Sequence, residues 1–148
     1  MDIFEKFDNA YNLEGLKNDI TEAKENGGDF KEVPTGNYEV MIEKMELTKS
    51  KSDKPMVSIW FKIVQGDFKN SRIFYNQLVD EGFKINIVNT LLESLDSGVD
   101  VYFESFKQYN DLILDIHEAI DKKLEYLLEY SENDKGYKTY KIKEVYDA

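Results

Sequence analysis

The one histidine of the chain, His117, stands in Asp115-Ile116-His117-Glu118, and Asp111, Asp115 and Glu118 fall together on one helical face. Such a cluster is the raw material of a general base or an acidic metal site. The pattern goes no further. A lone histidine on a helix is usually a packing or surface residue, and the three acids lack the loop spacing of a calcium site. There is no cysteine for zinc, no glycine-rich phosphate loop after a strand and no nucleophile elbow. The sequence therefore predicts no catalytic residues, no metal and no cofactor, and points away from an enzyme.

Binding chemistry has more to draw on. The run Met56-Val57-Ser58-Ile59-Trp60-Phe61-Lys62-Ile63-Val64 alternates. If Val57, Ile59, Phe61 and Ile63 form a core face, Ser58, Trp60 and Lys62 point the other way. In Arg72-Ile73-Phe74-Tyr75-Asn76, the set Arg72, Phe74 and Asn76 alternates with Ile73 and Tyr75. Laid beside Trp60 and Lys62, it joins two aromatic rings to two cations. Rings that stack on bases, flanked by Lys or Arg that follow the phosphates, are the parts of a single-strand nucleic-acid site. The parity of this second run stays open, because Phe74 and Leu78 also make an inward pair with Tyr75 outside. Trp60 too has a plain reading as core.

Periodicity supplies the elements that would hold these residues. Leu13, Leu16 and Ile20 have a helical period ended by Gly27-Gly28, giving an N-terminal helical arm over residues 1–30. Pro34-Thr35-Gly36 opens the domain of residues 31–148. Tyr38, Val40 and Ile42 alternate, then the apolar set shifts to Met45 and Leu47, which predicts a β-bulge around Glu43-Lys44. Strands over 56–64 and 72–79 complete three consecutive antiparallel strands. Phe83, Ile87, Leu91 and Leu95, with Val88 and Leu92, predict one helix, and Leu112, Ile113, Ile116 and Ile120 a second from Tyr109 to Lys122. Residues 99–104 fit a short strand or an irregular turn. Period two returns in Leu124-Tyr126-Leu128-Tyr130 and again from Tyr137 to Tyr146, around an Asp134-Lys135-Gly136 turn.

Three strands, a helical insertion and two strands are the order of the five-stranded oligonucleotide/oligosaccharide-binding (OB) barrel. An α+β sheet with helices on one side has the same order. The bulged first strand favours barrel closure, so the expected fold is mainly β with α, an OB-like antiparallel barrel. In that fold the loops after strands one and four also touch ligand. They add Lys49, Lys51 and Lys54, and Lys135. On the last strand Tyr137, Lys141 and Lys143 share one parity and Tyr140 and Ile142 the other; the former are expected on the ligand side.

The net charge of −11 at first opposes phosphate binding, but its distribution does not. Residues 80–121 carry −8 and residues 1–32 carry −5, whereas residues 33–79 carry +2 and residues 122–148 are neutral. Of the 19 basic residues, 13 lie in the last two blocks, which hold every candidate contact. The start, MDIFEKFDNAY, has neither the basic n-region nor the apolar h-region of a signal peptide, and no apolar run reaches the length of a membrane span. With no cysteine, a cytoplasmic location is expected.

From Val33 to Leu95 the run EVPTGNYEVMIEKMELTKSKSDKPMVSIWFKIVQGDFKNSRIFYNQ, then GFKINIVNTLLESL, resembles a family of small proteins from phages and prophages of Gram-positive bacteria that carries a domain-of-unknown-function label. The order and spacing of Pro34-Thr35-Gly36-Asn37-Tyr38, Lys54-Pro55-Met56, Trp60-Phe61-Lys62-Ile63, Gly66, Ile73-Phe74-Tyr75-Asn76, Leu124-Glu125-Tyr126 and Gly136 to Val145 carry the resemblance. What it implies is a single-stranded-DNA-binding protein of phage replication or recombination modules, in the cytoplasm of the host bacterium, with phage recombination or replication proteins as partners. A homodimer is a further expected assembly. The rival expectation, drawn from the −8 block, is an acidic interaction protein or DNA-mimic inhibitor of phage origin.

Overall fold

A computed structural model describes residues 33–148; the expected N-terminal helix and the boundary near residue 30 lie outside the described residues. Strands β1 (Gly36–Lys49), β2 (Pro55–Ile63) and β3 (Arg72–Leu78) form an antiparallel meander. Helices α1 (Gly82–Ser94) and α2 (Phe106–Ile120) follow, and β4 (Leu124–Glu132) and β5 (Lys138–Asp147) close the chain as a hairpin. The strand order is β3-β2-β1-β4-β5, an open five-stranded antiparallel sheet accompanied by two helices. Among the described residues no helix is long and apolar enough to cross a membrane.

β1 is the hub because it is long and bent. Its first half pairs with β4, from Gly36↔Tyr130 to Val40↔Tyr126, and it pairs with β2 from Val40↔Ile63 to Lys49↔Pro55. The register shifts between Ile42 and Lys44, leaving Glu43 as the extra residue of a bulge. That extra residue changes the phase, so Val40 and Ile42 before it and Met45 after it all reach the core. The β4–β5 turn is built as its sequence suggests. Asn133 Oδ1 accepts from the backbone N–H groups of Lys135 and Tyr137 at 3.0 Å each, and Gly136 supplies the left-handed φ of 82°.

The helices and the inner face of the sheet share one core cluster. Val57, Ile59, Phe61 and Ile63 are fully buried, as are Tyr126 and Leu128 from β4. α2 buries Leu112, Ile113, Ile116 and Ile120, the stripe that its periodicity predicts. α1 forms where its spacing predicts a helix, but its apolar side is only partly buried. Val88, Leu91, Leu92 and Leu95 are buried, but Phe83 is 62% and Ile87 47% exposed. α1 packs against both β3 and β5, the two edge strands, so only its second half faces the core squarely. Residues 99–104 form no strand; the segment is irregular and leads to the α2 N-cap, where Ser105 Oγ accepts from the Gln108 N–H at 3.1 Å.

The edges β3 and β5 share no backbone ladder. They are joined by a side chain: Tyr140 Oη donates to the Phe74 carbonyl at 2.8 Å, and the Tyr140 ring meets Tyr75 edge-on at 4.9 Å. Burial, followed by the neighbouring Tyr130, pushes the Tyr140 hydroxyl up to about 12. It is a neutral donor at any physiological pH. Tyr75 Oη, by contrast, is buried with no hydrogen-bond partner among the described residues, and burial raises its pKa further.

Candidate functional site

Registers β1–β2 and β2–β3 place Lys44, Trp60 and Phe74 in one cross-strand row on the face away from the core. The next row toward β2's C-terminal end holds Met41, Lys62 and Arg72; the row on the other side holds Glu46, Ser58 and Asn76. The open parity of β3 is thereby decided: Ile73 and Tyr75 are buried, and Phe74 faces out beside Trp60. Five of the candidate residues, Trp60, Lys62, Arg72, Phe74 and Asn76, lie together on this face.

Its geometry is that of a partly covered aromatic platform. The Trp60 and Phe74 rings meet edge-to-face with centroids 5.3 Å apart and planes at 88°. Both remain partly exposed. Lys44 Nζ sits 4.7 Å from the centroid of the Trp60 ring, a cation–π contact. Lys44 also approaches Glu46 Oε1 at 3.5 Å. Arg72 is held more firmly. Its Nε and Nη2 donate to the two Glu43 carboxylate oxygens at 2.6 and 3.1 Å, a bidentate pair with Arg72 only 18% exposed. The hydrogen bond from Arg72, then its charge and that of Lys62, hold the Glu43 carboxyl below the usual glutamate range despite partial burial. The bulge thus has a local consequence: it frees Glu43 from the ladder and sets it against Arg72. Ser58 Oγ donates to Asn76 Oδ1 at 2.8 Å, which satisfies the buried Ser58 and fixes the Asn76 amide with its NH2 turned elsewhere.

The other candidates lie in two further places. Lys49, Lys51 and Lys54 flank the β1–β2 turn, where Lys49 pairs with Asp53 at 3.2 Å and Lys54 with Asp80 at 3.5 Å; Lys51 makes no ion pair among the described residues. Lys135 is exposed in the β4–β5 turn, and Tyr137, which is 68% exposed, follows it. Lys141 faces out while Tyr140 and Ile142 pack on the core, the expected parity. Lys143 falls at a second register shift, opposite Leu127/Leu128, and pairs with Glu129 at 3.7 Å. Tyr137, Lys141 and Asn76 line one cleft between β3, β5 and α1.

Lys44 was missed by sequence reasoning, although the signal was present. Continuing the alternation past the Glu43 bulge turns Lys44 outward, opposite Trp60. Glu43 was missed because its role depends on a residue on β3, two strands away. On α2, Asp111, Asp115 and Glu118 are exposed, and no cluster of three or more potential ligands among the described residues is arranged to hold a metal ion. His117 Nε2 is 3.9 Å from Asp121 Oδ1 and makes no hydrogen bond among the described residues.

The family model described as "Protein of unknown function (DUF669)" matches residues 19–145. The chain belongs to that family. The match spans β1 to β4, β5 as far as Val145, both helices and all the candidate residues of this DUF669 chain. No curated protein matches it. The chemistry of the outer face is therefore read from its own side chains. Two partly exposed rings and the cations Lys44, Lys62 and Arg72 can stack against planar groups and attract anions.

Proposed function

We propose that this protein binds single-stranded DNA, without catalysis and largely without reading sequence, along the outer face of β1, β2 and β3. The observation that carries the reading is the Trp60–Phe74 pair, partly exposed and bordered by Lys44 and Lys62, in a chain whose net charge is −11. A partly exposed aromatic pair does less for stability than a buried one would, and surface cations gathered beside it run against the charge of the chain. A stacking platform with phosphate contacts accounts for both. Lys44, now over the Trp60 ring, is placed to move to a phosphate when a base takes the ring.

The OB-like barrel belongs to the same proposal. A bulged β1 shared between β2 and β4, a helical insertion after β3 and a terminal hairpin match that fold, which is often partly open and takes ligand on strands two and three. So does a place in phage replication or recombination, in a bacterial cytoplasm and beside other recombination proteins, which the family resemblance supports.

Trp60 is the only tryptophan, so its emission reports on the platform directly. Titration with oligo-dT at low salt is expected to quench it, and binding should weaken steeply as salt is added. Unchanged emission at an oligonucleotide concentration that shifts the protein in a gel would sink the platform, and no shift at low salt would sink the function.

A further inference from the structure

Resting on the single-strand reading, we propose that the cleft between β3, β5 and α1 is a second subsite, which takes one base of the bound strand. The cleft has a volume of about 810 Å3, within the ~300–1,000 Å3 of ordinary small-molecule pockets. It exists because the sheet stays open: where a β3–β5 ladder would run, Tyr140 makes a single bond to Phe74 and the strands part beyond it.

Three features of its wall suit a heterocyclic base. Its apolar part is aromatic and aliphatic, with Tyr75, Tyr140, Ile87 and Leu91, which gives the half-exposed Ile87 of α1 a purpose that the core does not. Its polar part is rich in side-chain amides, among them Asn76 and Asn86, the donor and acceptor groups that pair with base edges. The Asn76 NH2 and the Asn86 side chain make no hydrogen bond among the described residues. The β3 backbone contributes as well. The Ser71 carbonyl and the Val79 N–H point to β2 and the Phe74 carbonyl points away from it, so by alternation the N–H and C=O of Asn76 also face the open edge.

Charge favours a nucleotide over other planar ligands. Two lysines, Lys141 and Lys138, the latter paired with Glu132 at 3.6 Å, line the cleft, and among the described residues no carboxylate does, in a chain with 30 acidic residues. The cleft is also continuous with the platform. Asn76 lines it while bonding to Ser58 on the outer face, one cross-strand row from Trp60 and Phe74. A strand stacked on those rings reaches the cleft with its next bases.

The test is fluorescence anisotropy with labelled oligo-dT, oligo-dA and oligo-dC of equal length, for the full chain and for Ile87→Trp, Asn86→Ala and Trp60→Ala. The wild type is expected to rank the three bases over about tenfold in affinity. Ile87→Trp, which fills the cleft from an exposed position, and Asn86→Ala, which only removes an amide, should both compress the ranking to about twofold while salt-dependent binding persists. No ranking in the wild type, or the same ranking in both variants, overturns the subsite and leaves the platform standing. Trp60→Ala reports on the platform separately: unchanged affinity there removes the reading on which the subsite rests. A thermal shift by thymidine monophosphate as large as that by the oligonucleotide overturns the assignment to a base within a strand.

Discussion

The outer face of β1–β3 and the exposed face of α2 are both charged surfaces, built on opposite plans. On α2, Asp111, Asp115 and Glu118 stand in solvent, with no ion pair among the described residues and with the exposed Leu114 between them. Such a face keeps a helix soluble and asks nothing of its surroundings. On the sheet the charges are arranged: Arg72 is gripped by Glu43, Lys44 lies on Trp60, and Phe74 meets Trp60 at a right angle. Ordering long side chains costs rotamer entropy, about 1.5–2 kcal/mol each for Lys and Arg. The difference teaches that charge alone marks a surface as solvated, while charge fixed around partly exposed rings is the arrangement that the proposed stacking site calls for. It also separates the −8 block of residues 80–121 from the +2 block of residues 33–79; under the single-strand proposal, that separation would favour approach of a polyanion to the sheet.

The strongest way to break this comparison is to remove the rings and the acids in turn. The double change Trp60→Ala with Phe74→Ala should lower oligo-dT affinity about 100-fold, at ~1–3 kcal/mol per stacked base. Neutralising α2 with Asp111→Asn, Asp115→Asn and Glu118→Gln should leave it within about twofold. The reverse pattern in the same gel-shift series would favour the DNA-mimic alternative, in which the helical acids are the working surface.

A smaller effect is expected at the seam, where two tyrosines differ in one bond. Tyr140→Phe loses the bond to the Phe74 carbonyl and should cost about 1 kcal/mol in urea denaturation, whereas Tyr75→Phe removes a buried hydroxyl without a partner and should be neutral or stabilising. Equal losses in the two variants would mean that Tyr75 has a partner in solution.

Acid should act on the sheet face through Glu43. Its folded pKa lies below the ordinary value of 4.5, so the native state binds fewer protons there than the unfolded chain. The stability it contributes is full above about 4.5 and is lost as pH falls through the lowered native value. Because Glu43 is 32% exposed, the contribution is about 1 kcal/mol or less, and Glu43→Gln should flatten that part of a stability-against-pH profile. The smallest change is Lys51→Ala. It should leave folding untouched and reduce the salt dependence of DNA binding by about one phosphate contact at most.

Much of the scaffold was legible. The phase change from Ile42 to Met45 reveals the bulge, and Leu112, Ile113, Ile116 and Ile120 reveal the buried side of α2. These are local periodicities, fixed by the geometry of a strand or a helix. The alternation in β2 likewise turns Trp60 away from the core before any partner strand is known. Phe83 and Ile87 reveal the helix of residues 82–94 but not their own exposure, because helical spacing shows that residues share a face, not what that face meets.

What the sequence determined by itself is the order of the three strands, the two helices and the last two strands, the segregation of charge, and the alternation that sets Trp60 opposite Ile59 and Phe61, because each follows from neighbours a few residues apart. Only the tertiary structure decided that Phe74 rather than Tyr75 joins Trp60, that Glu43 claims Arg72, that Lys44 lies over the indole, and that β3 and β5 part to leave a cleft. Each of those depends on the register between strands distant in the chain. A single-residue slip there would exchange the two faces of a strand, and the core formed with both helices fixes which face is buried.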